Sequence, residues 1–151
     1  MCQPAKLEKA GENPSPVLHI YKGLVSMTNV QQLLTLLVLL QVKHLIVDWC
    51  WQTTVELVNK GNYLHKGGVL HAGKHTAGTL LCFLPFVTWY AAIFAAVLDG
   101  VIHYHVDWSK AQLSTKSKWT AVDPGYWWLV GSDQTVHQLT YIFLGWIVCI
   151  V

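Results

Sequence analysis

Residues 28–57 read TNVQQLLTLLVLLQVKHLIVDWCWQTTVEL, a stretch that contains neither glycine nor proline. Its centre, residues 33–42, is apolar except for one threonine and one glutamine. A helix of about 24 residues rises 1.5 Å per residue and spans roughly 36 Å, which is enough to cross a bilayer with some tilt. The stretch therefore predicts a first membrane-spanning helix, and His44 and Asp48 lie near its end.

The composition of the whole chain favours the same environment. Of its 151 residues, 53% are hydrophobic and only 12% are charged, whereas about a quarter are charged in an ordinary soluble domain. Mean hydropathy is +0.37, and eight tryptophans and six tyrosines suit membrane interfaces. All ten basic residues are lysines. Arginine, which usually makes bidentate contacts to phosphate and guanine, is missing, so nucleic-acid binding is not expected.

Loop and turn signals along the chain predict an all-α fold, a four-helix transmembrane bundle with a short N-terminal arm. Residues 1–27 are polar and contain three prolines, which indicates a tail or arm. Glycine and lysine mark a loop at 59–68, Pro85 divides a long apolar run, and a DPG turn closes a loop at 109–125. Within the domain 28–151, the four helices are predicted over about 28–56, 69–85, 88–108 and 126–151.

Lysine placement predicts the orientation of this multi-pass chain. Five lysines lie in the two loops that follow the first and third helices, and the connection near Pro85 carries no charge. Positive loops stay on the cytoplasmic side, so these two loops are predicted to be cytoplasmic. Three further lysines in the N-terminal arm argue for the opposite orientation.

Each predicted helix carries one pair of potential metal ligands four residues apart. The pairs are His44 with Asp48, His71 with His75, His103 with Asp107, and Asp133 with His137. This spacing places two side chains on one helix face one turn apart, as in helices that present two ligands to one ion. Four pairs in a bundle can therefore converge on one site.

The pairs also share a depth. In a chain with four crossings they all lie toward the same side, near the predicted cytoplasmic face. Three members stand five residues from a tryptophan: His44 from Trp49, His103 from Trp108, and Asp133 from Trp128. At 1.5 Å per residue, each lies about 7 to 8 Å below one interface.

Five imidazoles and three carboxylates form a nitrogen and oxygen set that suits one or two divalent ions. Zn²⁺ is the favoured ion, with Fe²⁺ and Mn²⁺ as alternatives. One of Asp48, Asp107 and Asp133 is expected to act as a general base, and which one is left open. Residues beside the pairs are candidates for substrate binding: Lys43, Lys74, Lys110, Gln52 and Gln134. A metal-free His/Asp relay and purely structural pairing are the competing interpretations of the cluster.

The segments HLIVDWCWQT, LHAGKH, HYHVDWSK and SDQTVHQL carry, in this order, the patterns HxxxDxxxQ, HxxxH, HxxxDxxK and DQxxH. Over about residues 40 to 140 they resemble a bacterial and phage family of small membrane proteins known as domain of unknown function 3307. The matched residues are His44, Asp48, Gln52, His71, His75, His103, Asp107, Lys110, Asp133, Gln134 and His137. The resemblance implies this ligand set and four helices, without a reaction. A more distant resemblance is to membrane-bound metal-dependent hydrolases.

The sequence thus favours a membrane metalloenzyme that hydrolyses a phosphoester or amide in a lipid or lipid-linked headgroup. A divalent ion lowers the pKa of a water molecule, and an unligated side chain takes its proton. Two alternatives use the same residues: a di-iron oxygenase, and a proton or metal-ion carrier. A non-enzymatic phage membrane factor is a further alternative that needs no ligand set, and a homo-oligomer is left open.

Overall fold

A computed structural model of the protein describes residues 29–150, with side chains to residue 147. This part of the chain is helical and contains no β-strand, which confirms the all-α class. The arm predicted over 1–27 lies outside the described residues, as does the final residue of the fourth predicted helix.

Five α-helices and one π-helical turn follow one another along the described chain. They are α1 (Asn29–Leu45), the π-helical turn (Ile46–Cys50), α2 (Thr54–Asn59), α3 (Lys66–Phe83), α4 (Trp89–Ser117) and α5 (Pro124–Ile150). Helix α4 packs against α3 and α5, α1 packs against α5 and α3, and the short α2 packs on α3. The four long helices therefore enclose one common interior.

The first helix is interrupted where the sequence predicted continuous helix to about residue 56. Helix α1 ends at Leu45, and the π-helical turn closes with a bond of 2.8 Å from the Trp51 amide to the Ile46 carbonyl. A new helix then begins behind a capping box, in which Thr53 Oγ1 accepts from the Glu56 amide and Glu56 Oε2 accepts from the Thr53 amide. The box satisfies amides that would otherwise continue the first helix, so the chain turns here.

The third helix is longer than predicted, because residues 109–117, predicted as loop, continue α4. The segment SKAQLSTKS contains no glycine or proline, and its lysines, alanine, glutamine and leucine favour helix. The helix stops at Lys118, which adopts a left-handed conformation with φ 56°. Helix α5 begins at Pro124, and proline is favoured at a first helical position.

The described chain buries more polar than apolar residues and exposes many apolar ones, which is the opposite of the pattern in a water-soluble domain. Ten apolar residues are buried beside twelve polar or charged ones, while thirty-four large apolar side chains are exposed. Soluble monomers rarely expose such continuous apolar surface. Two segments, Asn29–Cys50 and Trp89–Ser117, are long and apolar enough to cross a membrane. The predicted membrane character is thus supported for two helices.

The interior has an apolar half and a polar half. The apolar half, near the Pro85 connection, is formed by Leu36, Leu40, Phe83, Ala92, Ala95, Tyr141 and Leu144. Between the halves α3 and α4 approach closely at Gly100, where a β-carbon would collide with the Thr76 side chain. This contact holds the two helices at the distance that brings their histidines together.

Candidate metal centre

The polar half contains all eight predicted ligands in one layer. Three histidine rings are stacked: the His75 and His103 centroids lie 3.5 Å apart and those of His103 and His137 4.1 Å apart. The His44 ring is tilted against that of His137, with the centroids 5.3 Å apart. His71 joins them at 4.8 Å from His75. Histidines from four helices thus meet inside the bundle, as the i, i+4 pairs predicted.

Asp48 is the centre of this layer. Its Oδ1 lies 2.9 Å from Nε2 of His71, 2.9 Å from Nε2 of His75 and 3.8 Å from Nε2 of His103. Its Oδ2 lies 3.1 Å from Nε2 of His44. Asp48 stands in the π-helical turn, and such turns occur frequently at functional sites.

The first group of ligand atoms is Asp48 Oδ1 with Nε2 of the facing histidines, and its geometry fits a divalent ion. These residues are Asp48, His71, His75 and His103. Bonds of about 2.0–2.1 Å to a tetrahedral ion place neighbouring ligand atoms roughly 3.3 Å apart. Nε2 of His71 lies 3.2 Å from Nε2 of His103. The distances from Asp48 Oδ1 to the three histidines, 2.9 to 3.8 Å, bracket the separation expected of such ligands. Buried nitrogens facing one another are positioned to hold a metal ion.

A second group, His103, Asp107 and His137, lies beside the first. Asp107 Oδ2 is 3.5 Å from Nε2 of His103, and Asp107 Oδ1 is 3.6 Å from Nε2 of His137. Nε2 of His137 is buried without a hydrogen-bond partner. Asp107 Oδ2 has an ion pair of 2.7 Å with Lys60 but no well-directed hydrogen bond. Buried polar atoms without a hydrogen-bond partner are suited to ligate a cation. His103 belongs to both groups.

Two of the eight predicted ligands lie outside these groups. His44 uses both ring nitrogens, with Nδ1 2.8 Å from the Tyr141 hydroxyl and Nε2 3.0 Å from Gln134 Oε1. Asp133 Oδ2 accepts from Lys110 Nζ at 3.0 Å, while its Oδ1 is buried without a hydrogen-bond partner. The three aspartates therefore differ: Asp48 and Asp107 each contact several imidazoles, whereas Asp133 contacts the imidazole of His137 and pairs with Lys110.

A cavity of about 580 Å³ adjoins the layer at the end of the bundle that carries Lys60 and Lys110. All three aspartates line it, together with Lys60 and Lys110. Of the residues predicted to bind substrate, Gln52 and Gln134 also line it. Gln52 Nε2 contacts the His71 ring, 3.2 Å from Nδ1 and 3.4 Å from Nε2.

The structure places two other predicted substrate residues in internal pairs, away from this cavity. Lys43 is buried and donates to Asp99 Oδ2 at 3.0 Å and to the Tyr141 hydroxyl at 3.0 Å. Its Nζ lies 3.3 Å from Nδ1 of His75. Lys74 pairs with Glu56 at 2.7 Å and so ties α2 to α3.

Glu56, which stands outside both candidate membrane spans, has a lowered pKa. Burial raises the pKa of the carboxyl, but hydrogen bonds from Lys74 and from the Thr53 amide outweigh burial. The carboxylate is therefore held ionised, and it fixes the start of the short helix α2 through the capping box.

Sequence reasoning missed two contributors to the site. Lys60 lies in a loop whose composition signals only a turn, and no pattern marks it as a partner of Asp107. Tyr141 follows His137 by four residues, so the helical spacing that identified the ligand pairs also places it on the same face.

No family model, no curated protein and no solved structure matches the chain. The resemblance to the family of unknown function, carried by the four motifs, stays a prediction.

Proposed function

We propose that the protein is an integral membrane metallohydrolase that cleaves a phosphoester in a lipid headgroup. The observation that carries the proposal is the buried layer of imidazoles and carboxylates at ligand spacing beneath a cavity lined by three aspartates and two lysines. Metal-dependent hydrolysis of a phosphoester uses a Lewis acid, a base and cationic groups for the phosphate; these residues would hold the metal and supply the base and the cationic groups.

In this proposal all four long helices cross the membrane. Helices α1 and α4 have the required length and hydropathy, and α3 and α5 pack against them with apolar outer surfaces and the polar layer inside. Charged groups at membrane depth are costly unless they are paired or functional, which favours a role for the layer. Lysines at this end of the bundle favour a cavity at the cytoplasmic headgroup level, and Zn²⁺ is the favoured ion.

A bound divalent ion supplies the Lewis acid that lowers the pKa of a water molecule toward neutrality. Asp48 and Asp107, with the facing histidines, would hold the ion. The Gln52 amide contacts the His71 ring, and His44 contacts Asp48 through Oδ2. These outer contacts keep the ligand atoms in place during the reaction.

Asp133 is the proposed general base. Lys110 and Gln134 hold its Oδ2, so its Oδ1 points to the layer, 3.6 Å from Nε2 of His137. A base must reach the attacking water while remaining unligated, and among the three aspartates only Asp133 lies outside both ligand groups. Lys60 and Lys110 supply positive charge for the phosphate oxygens.

The packing on the side of the layer away from the cavity favours hydrolysis over transport. A carrier needs a polar path to the opposite face, but beyond His75 the Lys43–Asp99 pair is followed by the packed apolar half around Leu36 and Phe83. The described cavity therefore leads to the layer from one side. A di-iron oxygenase uses the same ligand types, and the identity of the bound metal separates it from a hydrolase.

The proposal is tested by measuring metal content and hydrolysis on detergent-purified protein. Plasma mass spectrometry is expected to find one to two equivalents of zinc, reduced about tenfold or more in the His71→Ala, His75→Ala double variant. Asp133→Asn is expected to keep the metal but to lower the hydrolysis of bis(p-nitrophenyl) phosphate at least about 100-fold. Lys116→Ala, far from the layer on α4, serves as the matched control.

Two results would contradict the proposal. Equal metal content in the wild type and the double variant, after incubation with Zn²⁺, would remove the metal site. Metal binding without hydrolysis of the phosphodiester or of phosphatidylglycerol vesicles would remove the hydrolase, and bound iron would favour the oxygenase.

A further inference from the structure

A second cavity, of about 510 Å³, forms a groove on the outer flank between α4 and α5. Its walls are mainly apolar: Val101, Val106 and Leu113 on α4 face Leu129 and Val136 on α5. The groove lies on the surface that would face lipid, and it is an elongated depression between two helices. Apolar depressions of this kind fit an extended hydrocarbon chain.

The groove and the cavity above the layer adjoin each other. Lys110 and Asp133 line both of them, and their ion pair of 3.0 Å marks the boundary. The Lys110 side chain remains about one third exposed, at 32%, so its charge is accessible from the groove. A molecule with an apolar tail and an anionic head can therefore occupy both spaces at once.

The stretch of the groove between Lys110 and Val101 matches the depth of one leaflet. Val101 and Lys110 are nine residues apart on one helix, which corresponds to roughly 14 Å along the axis. Half of a hydrocarbon core of about 30 Å is roughly 15 Å. A chain that begins at the depth of Lys110 would thus run along the groove to near the middle of the bilayer.

We propose that this groove binds one acyl chain of an anionic phospholipid, with the phosphate at Lys110 and the headgroup directed into the cavity. The inference names the substrate class of the proposed hydrolase and rests on that function only for the reaction, since binding itself needs no metal. Lys110 has two roles in this proposal: it attracts the phosphate, and it holds Asp133 at the point where the headgroup enters.

The test uses full-length protein in nanodiscs that contain a phosphatidylglycerol with a diazirine on its acyl chain. After irradiation, mass spectrometry maps the labelled residues. Labelling is expected to concentrate on groove residues such as Val106 and Val136. Leu129→Trp, which fills the groove, should reduce this labelling about fivefold or more, whereas Leu139→Trp on the exposed surface of the same helix should not.

A second variant from the opposite wall, Val106→Trp, guards against misfolding of the first, and metal content reports whether each variant retains the layer. Lys110→Met should reduce labelling by the phosphatidylglycerol probe to the level of a phosphatidylcholine probe with the same chain. Labelling spread evenly over the outer helix faces and unchanged by both tryptophan variants would overturn the inference.

The two proposals fail in different ways. Groove labelling in a protein that binds no metal would support the lipid site and contradict the hydrolase. Metal binding and phosphodiester hydrolysis without groove labelling would contradict only the lipid site.

Discussion

The two halves of the interior are built from the same four long helices and differ in almost every other respect. Toward the Pro85 connection, α1 and α5 contribute Leu36, Leu40 and Leu144, which pack without a polar partner. Toward the loops, the same two helices contribute His44 and His137, which lie among carboxylates. The outer surface is apolar around both halves.

This difference shows where each half derives its stability. In the apolar half, side chains gain dispersion contacts from close packing, which needs no charge. In the polar half, each charge has lost water and depends on an opposite charge or an ion. An arrangement with this cost is best explained by function, and the Lys43–Asp99 pair marks the border between the two regions.

The largest expected effect comes from removing one partner of the Lys43–Asp99 pair. Asp99→Ala leaves the Lys43 ammonium buried without its carboxylate, and removing one partner of a buried pair costs about 3–5 kcal/mol. Thermal unfolding in detergent should show a strongly lowered midpoint. The double variant Lys43→Met, Asp99→Leu replaces the pair with apolar groups and should recover most of the loss. A midpoint unchanged by Asp99→Ala would mean that the pair does not stabilise the border.

A pair of single substitutions separates the two halves. Leu144→Ala creates a cavity in the apolar half and should reduce the free energy of unfolding by about 2 kcal/mol or more, with metal affinity unchanged. Gln52→Ala removes the amide that contacts the His71 ring and should reduce metal affinity about 10- to 100-fold with little effect on unfolding. Competition with a zinc chelator measures the affinity. Equal effects of both substitutions on both quantities would contradict the independence of the two halves.

The smallest effect concerns the edge of the polar half, where Glu56 pairs with Lys74. Because the pKa of Glu56 is lowered in the folded protein, the pair contributes stability above the unfolded pKa of about 4.3, and this contribution is lost as the pH falls through the folded pKa. Glu56→Gln should therefore lower the unfolding midpoint at pH 7, and the difference from wild type should shrink only once the pH falls below the unfolded pKa. A difference that does not depend on pH would indicate that only packing was changed.

Much of the site was predictable because it depends on local periodicity. Spacing by four residues identified each ligand pair, and the position of each pair along its helix predicted a shared layer. The break after Trp51 was also present in the sequence, as the TTVE capping box that begins at Thr53. The extension of α4 to Ser117 was not predicted, since lysine-rich segments occur both in loops and in exposed helix.

The remaining features depend on contacts between elements. Lys60 meets Asp107 only because the loop before α3 folds back onto α4. Lys43 points into the bundle, although a lysine near a helix end is expected to reach for the interface. Asp133 differs from Asp48 and Asp107 through its neighbours on other helices, which no spacing within α5 reveals.

The helical class, the length and hydropathy of the two candidate membrane spans, and the four pairs of candidate ligands follow from the order of residues alone, because periodicity and hydropathy are properties of short segments. The distances among Asp48, His71 and His103, the contacts of Asp133 and the groove beside Lys110 follow from how the helices pack. Ligand geometry varies within tenths of an ångström, and close contacts such as that of Gly100 with Thr76 set the separation of the helices on that scale.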